Sequence, residues 1–168
     1  MNLLNQFSQI TTFILDVDGV LTDGGLYIQD DGILLRKMNA KDGYAMQLAV
    51  KQGLQIVIIS GGNSNGAALR LQKLGIKHVY ISIIDKAALL KELIEENNWQ
   101  KENLLYMGDD VPDIEVMNLC GIKACPNDAA EDILQIADYV SPKDGGAGCV
   151  RDVIEKVMKL RNLWGVQV

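Results

Sequence analysis

Acidic residues at two points of the chain have the types and spacing to handle a phosphoryl group. Asp16-Val17-Asp18-Gly19 closes the apolar run Thr12-Phe13-Ile14-Leu15, and Gly108-Asp109-Asp110-Val111-Pro112-Asp113 closes the run Leu104-Leu105-Tyr106-Met107. Between them, Ser60-Gly61-Gly62 closes Gln55-Ile56-Val57-Ile58-Ile59. One Asp-x-Asp after a strand is ordinary turn or cap chemistry. If the three runs are parallel strands of one sheet, however, their ends share an edge and Asp16, Asp18, Ser60, Asp109, Asp110 and Asp113 converge. Five carboxylates cannot share a pocket uncompensated, because like charges repel strongly in low dielectric. A divalent cation is the simplest remedy, and hard oxygen donors with no His or Cys nearby suit Mg²⁺ better than Zn²⁺ or a fully caged Ca²⁺. An EF-hand is excluded, since the fifth position after this start is Val20, which offers no ligand oxygen, and no glycine follows it.

A carboxylate held beside Mg²⁺ can attack phosphorus and form an acyl phosphate. Asp16, at the end of a central strand, is the rigidly placed nucleophile. Like-charge crowding by Asp16 suits Asp18 to hold a proton for the leaving alkoxide and later to accept one from attacking water. Ser60, with the N–H groups of Gly61 and Gly62 at the start of a helix, offers a cradle for phosphoryl oxygens. Lys86, heading the next helix after Asp85, is the cation to offset phosphate charge. Nucleotide motifs fail: there is no G-x-x-x-x-G-K-[ST], Asn63 stands where a dinucleotide fingerprint needs its second glycine, and Gly145-Gly146-Ala147-Gly148 follows no convincing long strand.

To bring these residues together the chain must build a sheet. Short apolar runs, including Val79-Tyr80-Ile81 and Ile122-Lys123-Ala124-Cys125, alternate with helical patterns at about 44–52, 64–74, 86–97, 112–120, 129–137 and 149–163. Strands apolar on both faces, alternating with amphipathic helices, predict a three-layer α/β/α sandwich with a mainly parallel sheet. Over 24–37 the rhythm breaks into Leu26-Tyr27-Ile28 and Ile33-Leu34-Leu35 around Gln29-Asp30-Asp31-Gly32, a hairpin pattern inserted after the first strand. Leu3, Leu4, Phe7 and Ile10 fall at helical spacing, a lead-in that packs on the core.

The chain's 168 residues and 48% apolar content fit one domain, 1–168, with no cap, so exclusion of water from the site falls to a neighbouring subunit. A balance of 16 basic against 22 acidic residues, net −6, disfavours nucleic acid and anionic lipid as partners. No apolar run approaches the roughly 20 residues of a membrane span. Cys120, Cys125 and Cys149, odd in number and without a Cys-x-x-Cys pair, read as reduced buried thiols of a cytoplasmic protein.

In this order, Asp16-Val17-Asp18-Gly19-Val20, Ser60-Gly61, Lys86 and Gly108-Asp109-Asp110 with Asp113 resemble the four motifs of the haloacid dehalogenase-like phosphohydrolases. With Leu21-Thr22-Asp23-Gly24, the hairpin, and Gly145-Gly146-Ala147-Gly148-Cys149-Val150-Arg151, the likeness extends over nearly the whole chain to the capless 3-deoxy-D-manno-octulosonate 8-phosphate (KDO 8-phosphate) phosphatases. The resemblance implies Mg²⁺-dependent hydrolysis of an eight-carbon keto-sugar-acid phosphate in lipopolysaccharide synthesis, by a homotetramer. It implies a metal between Asp16, the carbonyl of Asp18 and Asp109, phosphate ligands at Ser60 and Lys86, and Arg70 approaching a substrate carboxylate. It also implies hairpins forming a central barrel and C-terminal tails, here about 161–168 with Trp164, closing over adjacent sites. Gly62 replaces a charged residue of many relatives; nine-carbon phosphatases can carry Glu there, so glycine leans toward the eight-carbon substrate. A different class, the phospho-accepting receiver, shares an acidic Mg²⁺ pocket, a hydroxyl and a lysine. Its acidic pair precedes the accepting Asp, whereas here Asp16-x-Asp18 comes first.

Overall fold

In a computed structural model that describes residues 2–165, six strands form one sheet in which every pairing is parallel. Its strands are β1 (Thr12–Leu15), β4 (Gln55–Ile59), β5 (His78–Tyr80), β6 (Leu104–Met107), β7 (Ile122–Cys125) and β8 (Tyr139–Val140). From central β1 the chain steps outward through β4 to β5, then returns to β1's other side with β6 and steps outward to β8. The order therefore reverses between β1 and β6, and at such a switch point the loops leave a crevice beyond the strand ends. The loops there are the two acidic ones.

The period-2 geometry of strands explains why these runs lack polar alternation. Phe13, Leu15, Ile56, Ile58, Leu105 and Met107 point into one core cluster, while Ile14, Val57, Ile59, Leu104 and Tyr106 point into the other. The first layer is closed by α1 (Leu3–Gln9), α2 (Ala40–Lys51), α3 (Asn65–Lys73) and α7 (Cys149–Leu160), and the second by α4 (Lys86–Asn97), α5 (Ile114–Met117) and α6 (Glu131–Ile136). Phe13 is fully buried, so truncation to Ala would cost about 3–5 kcal/mol.

Several boundaries differ from the sequence pattern for local reasons. Helix α2 starts at Ala40 rather than near Tyr44, because the Asn39 side chain accepts from Lys41 N–H and caps it. After β6, Val111–Asp113 forms a 3₁₀ turn with Pro112 inside it and α5 is only one turn long. Helix α7 stops at Leu160, and Asn162 lies in the left-handed region just beyond. Strand β8 has two residues, too few to show a period.

The hairpin strands are β2 (Tyr27–Ile28) and β3 (Leu34–Leu35), paired with each other and separate from the main sheet. Their apolar side chains are exposed, Ile28 by 75%. In α1, Phe7 is buried and meets Tyr139 edge-on at 5.3 Å. All three cysteines are free and buried, and burial pushes the Cys120 and Cys149 thiols up to about 12 and Cys125 to about 11. Trp164 packs on its own chain, edge-on to Tyr44 and 5.3 Å from the Arg151 guanidinium. The end of the tail, 166–168, lies outside the described residues. Among the described residues no helix is long and apolar enough to cross a membrane.

Candidate active site

The ladder carries Asp16 to its place. Its N–H donates to the Met107 carbonyl at 3.1 Å, extending the β1–β6 pairing by one residue, and the residue is 7% exposed. Asp16 Oδ1 accepts from Val17 N–H at 2.7 Å, and Oδ2 lies 2.8 Å from Lys86 Nζ. Lys86 opens α4, which Asp85 caps by accepting from Ala88 N–H, so the helix start aims the buried ammonium inward. The same ammonium reaches Asp113 Oδ1 at 2.8 Å.

Asp113 is 1% exposed and both its oxygens are engaged. Oδ1 also accepts from Tyr106 O–H at 2.7 Å, and Oδ2 accepts from Asp109 N–H at 3.1 Å. Asp113 thus holds Lys86 and the acidic loop in register. Tyr106, buried within β6, was not legible as a site residue, since a tyrosine in an apolar run reads as core. Asp110 is exposed, lines the same cleft and caps the 3₁₀ turn by accepting from Val111 N–H.

The cleft, about 340 Å³, is lined by Asp16, Asp18, Ser60, Gly61, Gly62, Lys86, Asp109, Asp110 and Asp113, among others. Oxygens of Asp16, Asp109 and Asp113 can all lie within 4.8 Å of one another, and with Asp113 engaged by Lys86 and Tyr106 the hard oxygens of Asp16 and Asp109, on rigid elements, fit a small divalent cation. The field has the sign such an ion requires. Burial, then Asp113, raises Asp16 to about 6 against the opposing pull of Lys86. Burial, then Asp16, Asp113 and Asp110, raises Asp109 to about 7. Burial alone would lower Lys86, but Asp16 and Asp113 outweigh it and hold the ammonium charged.

Close approach is bought with glycine. Gly19 has φ +79°, and a Cβ there would collide with the Asp109 carboxylate. The late glycine run has the same purpose one layer back: a Cβ at Gly145 would strike the Gly19 carbonyl, and Gly146 N–H donates to the Val20 carbonyl at 2.9 Å. Gly145 and Gly146 therefore buttress the first acidic loop.

Two expectations need correction. Gly61 and Gly62 do not open a helix, because α3 begins at Asn65 with Ser64 as its cap, and Gly62 N–H donates to Ser60 Oγ at 3.1 Å. Asp18 does not face Asp16 unpaired, because the Arg36 guanidinium offsets the crowding: both carboxylate oxygens accept from it, Oδ1 from Nε at 2.6 Å and Oδ2 from Nη2 at 3.0 Å. Sequence alone does not reveal Arg36, whose only signal is a charge that ends an apolar hairpin strand. Arg70 is not in the acidic cleft. It lies on α3 against Gly43 of α2 and lines a neighbouring groove of about 790 Å³, which also includes Arg36 and the hairpin.

Comparison with known proteins gives the arrangement its relatives. The haloacid dehalogenase-like hydrolase family matches residues 79–153, a span containing Lys86, Asp109, Asp110 and Asp113. The 3-deoxy-D-manno-octulosonate 8-phosphate phosphatase of Salmonella typhi is 34% identical over 157 residues, covering 94% of this chain and 84% of that protein. The chain belongs to the KDO 8-phosphate phosphatase family of haloacid dehalogenase-like hydrolases.

Solved structures of the family are similar over most of the chain. The KDO 8-phosphate phosphatase of Yersinia pestis superposes with a TM-score of 0.92 at 32% identity, over 95% of this chain and 86% of that one. That of Moraxella catarrhalis, solved with magnesium ion, phosphate ion and a KDO molecule, superposes at 0.90 with 30% identity, over 95% and 91%.

Proposed function

We propose that this protein hydrolyses 3-deoxy-D-manno-octulosonate 8-phosphate to KDO and inorganic phosphate, with Mg²⁺, in lipopolysaccharide synthesis in the cytoplasm. The observation that carries the reading is the position of Asp16. It sits at the end of the central strand, beside buried Lys86 and Asp109, in a chain of this family.

Asp16, Asp109 and the Asp18 carbonyl would hold the Mg²⁺, with Asp113 and Asp110 behind them. When bound, the ion supplies positive charge that keeps Asp16 ionised and offsets charge on the phosphoryl oxygens. An Asp16 carboxylate oxygen attacks phosphorus, forming the aspartyl–phosphate bond as the bond to the sugar oxygen breaks. Asp18 gives its proton to that departing oxygen, then takes one from the water that attacks the aspartyl phosphate and releases inorganic phosphate. Ser60, Lys86 and the Gly61 and Gly62 backbone bind the phosphoryl oxygens. Arg70, in the groove beside the acidic cleft, would meet the substrate carboxylate, as the family resemblance suggests.

The exposed apolar hairpin supports self-association, for which the family resemblance suggests a tetramer. Steady-state kinetics on a panel of eight- and nine-carbon keto-acid phosphates and simple hexose phosphates tests the substrate. The eight-carbon ester should have the highest kcat/KM; a hexose phosphate equal to it would refute this assignment, and preference for the nine-carbon ester would move it to the nonulosonates. Acetyl phosphate with Mg²⁺ should be turned over, not accumulate as phospho-protein as it would on a receiver.

A further inference from the structure

The hairpin places a guanidinium where the acidic cleft meets the adjoining groove. Arg36, one residue past β3, has a side chain only 4% exposed, less than its partner Asp18 at 34%. Three of its nitrogens are engaged: Nε and Nη2 on the two oxygens of Asp18, and Nη1 on the Leu34 carbonyl at 3.3 Å. A planar fork meeting a carboxylate with two bonds fixes the plane of that carboxylate as well as its position. Burying a guanidinium against a partly open carboxylate is costly unless both are held in one geometry.

Gly62 supplies the room. A Cβ at position 62 would lie 2.8 Å from Arg36 Nη2 and 2.8 Å from Asp18 Oδ2. Any side chain there would displace one of them. The hairpin arginine and the glycine after Ser60-Gly61 are thus two halves of one feature, separated by 26 positions in sequence.

We propose that Arg36 is the positioning residue for Asp18, and that Gly62 is the gap that lets it reach. Nε and Nη2 grip both oxygens of the ionised carboxyl; when Oδ2 takes up a proton, Nη2 lets go of it while Nε on Oδ1 keeps the plane, so Oδ2, on the Gly62 side, turns its proton toward the oxygen of the departing alcohol. This inference rests on the phosphatase reading and deepens it by assigning how the proton donor is aimed. It also makes leaving-group protonation depend on a segment outside the main sheet.

The test exploits the leaving group. An alkyl phosphate requires a proton on its departing oxygen, whereas para-nitrophenolate leaves without one, so only the former needs an aimed Asp18. First-turnover alcohol release is measured with Mg²⁺ for a sugar-acid phosphate and for para-nitrophenyl phosphate, in the wild type, Arg36→Met, Arg36→Lys and Gly62→Ala. Arg36→Met should slow release of the sugar by about tenfold to a hundredfold and leave the para-nitrophenolate burst within about twofold. Arg36→Lys should recover part of the loss, and Gly62→Ala, whose backbone also meets the phosphoryl group, should slow release of the sugar more than the para-nitrophenolate burst. Circular dichroism and thermal unfolding verify that each variant is folded. Equal slowing of both substrates, or an Arg36→Met rate on the sugar ester within about twofold of wild type, would overturn the proposal. A wild type that releases neither alcohol would overturn the phosphatase reading itself, and this inference with it.

Discussion

Acidification should expel Mg²⁺ from the cleft before it disturbs the rest of the protein. In the metal-free site, burial and mutual repulsion hold Asp16 near 6 and Asp109 near 7, so both carry protons at pH values where ordinary carboxylates are ionised. A cation ligand must be deprotonated, and protons therefore compete with the ion. At about pH 5.5 that competition weakens binding about thirtyfold through Asp109 and about fourfold through Asp16, while at about pH 8 it is negligible. Affinity should then be about a hundredfold lower at the acid pH, and binding near pH 6.5 should release about one proton. Calorimetric titration with MgCl₂ across this range, in buffers of different ionisation enthalpy, reads both quantities. An affinity that changes by less than about threefold, with no proton released, would refute the claim that these two carboxyls are the ligands. Stability has the matching sign. Carboxyls raised above 3.8 favour the folded state at low pH, so the metal-free protein should lose stability as pH rises from about 4 through about 7, and Mg²⁺ should restore it most at the alkaline end.

Three further outcomes follow from particular contacts. Asp16→Asn should lower Mg²⁺-dependent phosphate release by about a thousandfold or more while the circular dichroism spectrum is unchanged, because the amide keeps the shape and removes the nucleophile; near-normal turnover would sink the mechanism. Tyr106→Phe removes the hydroxyl that Asp113 Oδ1 accepts from inside the core, so urea unfolding should show a loss of about 1–3 kcal/mol, with Lys86 still in place. Ile28→Lys puts a charge on a side chain that is 75% exposed in the single chain, so folding should be unaffected and sedimentation should show a smaller assembly; an unchanged sedimentation coefficient would remove the hairpin from the interface.

Much of the site is readable in the chain because its residues sit at the ends of strands, and strands announce themselves. Leu104–Met107 is apolar throughout, it stops at Gly108, and whatever follows must lie on the sheet edge. Period and edge geometry together converge Asp16, Ser60 and Asp109 without any knowledge of side-chain contacts. The same logic fails for Tyr106, whose hydroxyl function is hidden inside an apolar run. It also overreaches at Gly61-Gly62, where the helix waits until Asn65 because Ser64 makes the better cap.

Residue type and order thus determined the strand plan, the acidic edge and the need for a compensating cation, since these depend only on short-range periodicity and on the repulsion of like charges. Tertiary structure alone decided the partners: Asp113 holds Lys86 instead of facing solvent, Gly145 lies beneath Gly19, and Arg36 crosses from the hairpin into the gap at Gly62 to grip Asp18. Such pairings join segments far apart in the chain through contacts of about 3 Å, and at that range direction and the absence of a single Cβ determine which groups can meet.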